Sequence, residues 1–323
     1  MIVSSDVYNQ EAINLVKENG AAQIIFPYSA VHFQNEFPGP DEKDCYETDD
    51  LTSAKCRNLN WTDTFGNYRN FGKSIIYRKM SIFQIKTLAL ANIKHHWWWK
   101  INWLHKNVKF DRVLLLEEDY GVLPDALTTL DQLVEIKHDF VSLGNYVDNL
   151  NLSNRLFKAP NSTFTYDHSY FSSSVNNMGL VFSAQFVDNL IEKFKTDFCL
   201  YDDYNWDFTL MHISTEVTKP SWLVVSPLLS RIQHLGVKTC GTHITDKKAT
   251  ECNIESIHEQ FRRDITKVST FLFPQKFSET KKPKKPYAKK PFRSGGWGDP
   301  RDIKMCLDFT SEKIDLNELR SIT

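Results

Sequence analysis

The stretch RVLLLEEDYG, residues 112–121, passes from a charged start through four apolar residues into three consecutive carboxylates, Glu117, Glu118 and Asp119. The apolar run at 113–116 has the length of a buried strand. In an α/β sheet, a strand that opens into a polar loop delivers its last residues to the crevice outside the carboxyl edge, where such sheets bind ligands. Side chains alternate along a strand, so Glu117 and Asp119 are expected on one face and Glu118 on the other. Adjacent carboxylates repel unless a cation or basic group offsets them. An all-oxygen cluster selects a hard divalent ion, magnesium or manganese, that bridges substrate phosphates. The alternative is a solvated acidic loop.

Outward from this stretch, the pattern predicts a strand at 23–26, a loop-rich segment to about 72 and a helix over about 73–105. Beyond it come a helix at 124–136 with Pro124 in the first turn, a strand at 140–143 and a polar loop. A strand at 179–184, a helix at 185–194, a helical segment around DDYNWDFTLMHI (202–213) and strands at 222–225 and 230–234 follow. Alternating strands and helices argue for an α/β sheet layered on both faces. After residue 273 the composition shifts to KKPKKPYAKKPFRSGGWGDP (281–300). That run suits an extended solvated tail or, less well, a nuclear signal, although 295–300 is too specific for a linker. The body of the chain is therefore expected over 1–270, with 271–323 as a C-terminal segment of different composition.

The 323 residues are 41% hydrophobic and 13% aromatic, a globular balance that excludes a disordered chain. A formal net charge of −1 supplies no global field for nucleic acid or anionic membrane, so charged chemistry must be local. The six cysteines are compatible with disulfides, and sequons at Asn60, Asn151 and Asn161 accompany them. Together they favour an oxidising secretory compartment over a cytosolic protein with buried thiols. There is no apolar run of about 18 residues, and MIVSSDVYNQEA lacks the features of a signal peptide. A preceding N-terminal segment is the expected resolution of that conflict.

Two further constellations carry chemistry. In YDDYNWDFTL (201–210), Asp203 and Asp207 would stand four apart on one face if the segment is helical. Asp207, between Trp206 and Phe208, suits a general base tuned by desolvation, although early acids also simply favour a helix dipole. His234 ends the apolar strand of SRIQHLG and is either a neutral imidazole ligand or structural. The three tryptophans of KHHWWWK cannot all face one way on a helix, which favours core packing over sugar stacking.

These constellations, in this order, with NEFPG (35–39), IKHHWWWK (93–100), SLGNY (142–146), NNMGL (176–180), TCG (239–241) and GGWGDPRD (295–302), closely resemble the N-acetylglucosaminyltransferase II family of N-glycan processing. The matches run from about residue 23 to 306. The resemblance implies a glycosyltransferase-A fold, Rossmann-like and of the nucleotide-diphospho-sugar transferase type, and a lumenal catalytic domain anchored in the Golgi membrane by a signal-anchor. It further implies UDP-GlcNAc as donor, an N-glycan acceptor on glycoproteins and Mn2+ as cofactor. The activity would be inverting transfer of GlcNAc to the 2-hydroxyl of the α-1,6-arm mannose, giving a β-1,2 linkage. Carried over residue by residue, Asp119 and His234 would be metal ligands, Glu118 and Asp119 would serve the donor, and Asp207 would be the catalytic base. Glu117, Tyr146, Asn177, Trp206 and Asp63 would contact the acceptor. The pairings Cys45–Cys56, Cys199–Cys306 and Cys240–Cys252 are likewise implied by the resemblance, and the second of them would make 271–323 a segment docked on the catalytic domain of 1–270.

The chain departs from the family in two places. It enters at what resembles the family's second strand, so the first strand and helix are expected to be lacking, together with part of the nucleotide pocket. Residues 70–93 exceed the family pattern, as an insertion or as translated non-coding sequence. Two alternatives to an active transferase follow: an impaired fragment that binds only glycan or metal and, without the resemblance, a metal-dependent phosphohydrolase.

Overall fold

The computed structural model describes residues 1–6, 8–29, 88–145, 164–236, 253–274, 277–279, 297 and 300–311. The chain is mixed α/β and divides into two compact units: Met1–Lys109, Val187–Ile213 and Pro291–Thr323 form the first, and Phe110–Phe186 and Ser214–Lys290 the second.

In the first unit, β1 (Ile2–Ser5) and β2 (Ala22–Ile25) pair in parallel, with Ile2 opposite Ala22. Parallel neighbours need a crossover, here α1 (Gln10–Glu18), which starts where the Asn9 side chain accepts from the Ala12 N–H. Neither β1 nor α1 is evident in the sequence pattern. Helix α2 (Leu88–Asn107) is buried on several sides, with Lys94, His95, Trp97, Trp98 and Trp99 all enclosed. KHHWWWK is therefore core, as its spacing suggests. The same unit holds the greater part of α4 (Ala184–Leu200), then α5 (Trp206–His212) and α7 (Pro300–Thr310). The disulfide Cys199–Cys306 joins α4 to α7, and the Trp98 indole N–H donates to the Cys306 carbonyl at 3.0 Å. Cys45, Cys56, Cys240 and Cys252 lie outside the described residues, as do the three sequons and residues 70–87.

The second unit is built on a mixed six-stranded sheet of order β10-β6-β8-β5-β7-β3. Its strands are β3 (Arg112–Leu115), β5 (Phe140–Gly144), β6 (Phe164–Tyr170), β7 (Met178–Ser183), β8 (Leu223–Pro227) and β10 (Phe277–Glu279). Every residue of β5 is buried, as the continuous apolar run of a central strand requires. Alternation sorts the core into two faces. On one, Val141, Leu143, Val181 and Val225 pack with Ala126 and Leu133 of α3 (Ala126–Leu133). On the other, Phe140, Phe182, Phe186 and Trp222 form an aromatic cluster with centroids 4.8–6.1 Å apart.

A separate two-stranded ribbon, β4 (Tyr120–Val122) antiparallel to β9 (Ile232–His234), lies in the same unit. Gly179 sits at φ +59°, and a Cβ there would come within 2.6 Å of Ile232 Cγ1, so this glycine of NNMGL lets the ribbon lie against β7. On the ribbon, a Cβ on Gly121 would meet the Phe261 ring of α6 (Ile254–Val268) at 2.7 Å.

Candidate metal centre

The opening stretch folds differently from a strand with a pleated end. Strand β3 stops at Leu115, and residues 117–120 form a turn closed by the Tyr120 N–H donating to the Glu117 carbonyl at 3.1 Å. Tyr120 then pairs with His234 across the ribbon, and the Leu235 N–H donates to the Asp119 carbonyl at 2.8 Å. Glu117 and Asp119 do converge, but through the turn and the ribbon register instead of strand alternation. Among the described residues, Glu117, Asp119 and His234 offer ligand atoms that all lie within 4.8 Å of one another. Asp119 Oδ2 is 3.2 Å from His234 Nε2, with 26% of the aspartate and 9% of the histidine side chain exposed. Glu118 is exposed and outside the group.

Two carboxylates and one imidazole suit a divalent ion that accepts both oxygen and nitrogen, and manganese is one such ion. The ribbon holds these donors firmly. The Tyr120 ring stands edge-on to His234, centroids 5.8 Å apart, and its hydroxyl donates to the Asn177 carbonyl at 3.2 Å. Asn177 is thus brought beside the ribbon, while Tyr146 and Asp63 lie outside the described residues.

At its other end the ribbon is anchored by Arg231, wholly buried beside the wholly buried Asp125. Arg231 Nε is 2.9 Å from Asp125 Oδ2, and Asp125 also accepts from the Phe273 N–H at 3.0 Å. The Leu123 N–H donates to the Arg231 carbonyl at 2.9 Å. Sequence reasoning overlooked this pair, although an arginine set directly before the apolar Ile232 was a signal that it needs a buried partner.

Trp206 and Asp207 belong to the first unit, as the first two residues of α5. Trp206 lies flat on Trp97, with centroids 4.8 Å apart and planes 4° apart, and Asp207 is half-buried. The expectation that Asp203 and Asp207 share a helical face is corrected. The helix starts only at Trp206, and the buried Asp203 side chain accepts from the Asn205 backbone N–H at 2.9 Å and from its Nδ2 at 3.0 Å. Asp203 fixes the turn, which leaves Asp207 without the like-charged helical neighbour.

The family model for N-acetylglucosaminyltransferase II matches residues 1–306. The chain belongs to the N-acetylglucosaminyltransferase II family. Within that family it is similar to proteins named alpha-1,6-mannosyl-glycoprotein 2-beta-N-acetylglucosaminyltransferase. The one from Homo sapiens is 29% identical over 96% of this chain and 66% of its own length. The one from Sus scrofa is 31% identical over 89% of this chain and 60% of its own length. The one from Arabidopsis thaliana is 25% identical over 96% of this chain. The chain thus spans about two thirds or less of the human and pig relatives. Among the described residues no helix is long and apolar enough to cross a membrane.

Proposed function

We propose that this chain is a glycosyltransferase-A-type enzyme that transfers GlcNAc from UDP-GlcNAc, with inversion, to the 2-hydroxyl of the α-1,6-arm mannose of an N-glycan. The observation that carries the proposal is the convergence of Glu117, Asp119 and His234 in a chain of the N-acetylglucosaminyltransferase II family. Asp119 and His234 would hold a manganese ion, with Glu117 beside them serving the ion or the acceptor. Bound there, such an ion supplies positive charge against the diphosphate of the donor.

Asp207 is assigned the general base. Its carboxylate accepts the proton of the mannose 2-hydroxyl as that oxygen forms its bond to the anomeric carbon and the bond to UDP breaks. A positioned base contributes about 10²- to 10⁴-fold. The assignments of Asp119 and Asp207 are not interchangeable, because a carboxylate engaged by a cation is a poor proton acceptor. Trp206 and Asn177 are assigned to the acceptor, and Glu118 to the donor side. The Cys199–Cys306 disulfide and the three sequons support a lumenal setting, for which we propose the Golgi.

The test supplies purified chain with UDP-GlcNAc, manganese and a mannose-terminated N-glycan. UDP should be released only when the glycan is present. Folded chain without affinity for UDP, or phosphate release from a simple phosphoester, would overturn the proposal.

A further inference from the structure

Lys94 is wholly buried in α2, in the first unit, and belongs to none of the roles assigned above. Its Nζ lies 3.0 Å from the Tyr201 carbonyl and 2.9 Å from the Asp203 carbonyl. The Trp297 ring covers it at 4.3 Å from the centroid, and Phe198 lies at 5.1 Å. Trp297 acts on the same segment, its indole N–H donating to the Cys199 carbonyl at 2.8 Å and its backbone N–H to Asp202 Oδ1 at 3.1 Å.

These bonds address a specific need. Helix α4 ends at Leu200, and the carbonyls at the end of a helix lack intrahelical partners. Lys94 and Trp297 satisfy carbonyls on both sides of that end. The turn they hold runs directly into α5, because Asp203 binds the Asn205 N–H and the Asn205 carbonyl accepts from the Thr209 N–H at 3.1 Å and from its hydroxyl at 2.8 Å. One helical turn along the same face of α2, Trp97 stacks on Trp206. Lys94 therefore holds the turn at Tyr201 and Asp203, ahead of the helix start, and Trp97 holds Trp206, its first residue, with Asp207 the next. A wholly buried amine is costly among aromatic rings, and an apolar side chain would fill the space at lower cost. The amine is offset here by the Tyr201 and Asp203 carbonyls that accept from it and by the nearby carboxylates of Asp203, Asp202 and Asp302. Burial pushes Lys94 down to about 7, against the attraction of Asp203, Asp202 and Asp302. Both the charged and the neutral amine carry at least two N–H groups, so both carbonyls stay satisfied in either state.

We propose that Lys94 is a positioning residue for Asp207: it pins the turn at residues 201–205 and thereby fixes the start of α5 and the placement of the carboxylate. The proposal rests on the assignment of Asp207 as the base. Since Lys94 has no exposed surface, it acts through that residue and touches no substrate.

The experiment compares the full chain with Lys94→Met. Backbone amide exchange across residues 203–209 should accelerate at least about tenfold, while β5 and β7 keep their protection. The kcat for transfer should fall about 10- to 100-fold, the scale of a small misplacement of a reacting group, with acceptor KM and UDP affinity within about threefold. Unchanged exchange at 203–209 would overturn the proposal. So would a loss of kcat, KM and UDP affinity together with protection throughout the unit, which would mark Lys94 as scaffold alone. Should Lys94→Met fail to fold, Trp297→Phe keeps a ring over the amine but removes the bond to the Cys199 carbonyl. It should loosen the same amides more weakly, and if it leaves them unchanged the proposal fails. If the parent chain transfers to no acceptor, the assignment of function falls, while the exchange data still decide the role of Lys94 on the turn.

Discussion

Beside the β4–β9 ribbon, Glu117 is exposed and Asp119 keeps about a quarter of its side chain open, whereas in the first unit Asp203 and Asp302 have no exposed surface. Each buried carboxylate has a local donor: Asp203 accepts from Asn205, and Asp302 lies 2.5 Å from His95 Nε2. The ribbon carboxylates instead converge with one another and with His234. Burial with dedicated partners is how a fold uses acids as scaffold. Convergence with exposure places like charges where a cation or a polar ligand can reach and offset them. The half-buried Asp207 stands at the head of a helix whose preceding turn is held by the scaffold acid Asp203, so in location it belongs with the first class, and only its proposed role as base would set it with the second.

The largest expected effect tests that placement. Asp207→Asn should lower transfer by about 10²- to 10⁴-fold while UDP affinity, read by calorimetry, stays near that of the parent. An equal loss of UDP binding would assign Asp207 to the donor instead of to proton transfer. Next in size is the buried pair under the ribbon. Arg231→Met strands the Asp125 carboxylate away from water and should cost about 3–5 kcal/mol of stability by denaturant unfolding. A cost below about 1 kcal/mol would show that Asp125 is satisfied by the Phe273 N–H and by the Thr129 hydroxyl, which donates to Oδ2 at 3.4 Å.

The legibility of these two regions differs for a physical reason. The central strands and the buried tryptophan helix were plain in the sequence because continuous apolar runs have few ways to be buried. The strand β4 and the N-terminal β1 and α1 were not, whereas β2 lies within a residue of the strand expected at 23–26. Three residues of Tyr-Gly-Val carry no period, and β1 and α1 are short and only partly buried. The pairing of Glu117 with Asp119 was anticipated from strand alternation, but a turn and a cross-strand register produce it. The contribution of His234 depends on β9 lying opposite β4, a contact between residues more than a hundred apart that no local pattern encodes. Lys94 escaped notice because a lysine followed by two histidines reads as surface until its buried partners are known, whereas the apolar residue after Arg231 was a usable signal.

His234→Ala should weaken manganese binding about 10- to 100-fold, followed by the spectrum of free ion, with little change in melting temperature in the absence of metal. If affinity is unchanged, the convergence is a hydrogen-bonded turn and no ligand set. Lys94 offers the complementary test on the scaffold side. Its amine titrates at about 7 in the folded chain against an ordinary 10.5, so the unfolded chain binds the extra proton between those values. Stability from this group is therefore complete above 10.5 and is lost as the pH falls through 7. Relative to Lys94→Met, the parent should gain about 2 kcal/mol between pH 7 and pH 9. A flat difference would mean that Lys94 keeps its charge, held by Asp203, Asp202 and Asp302.

The smallest effect concerns Glu118, which separates the two converging acids in sequence and stands apart from them in the fold. It occupies the second position of the turn at residues 117–120, is exposed, and contributes no atom to the group formed by Glu117, Asp119 and His234. Turn geometry at that position places no demand on a carboxylate. Glu118→Gln should leave manganese affinity within about twofold and the melting temperature unchanged, because an exposed charge at this range is largely screened. Its assignment to the donor predicts a change elsewhere, in the KM for UDP-GlcNAc. If metal affinity fell as far as it does for His234→Ala, the ion would draw on the outer face of the turn, and the division between converging and solvated acids in this stretch would have to be redrawn.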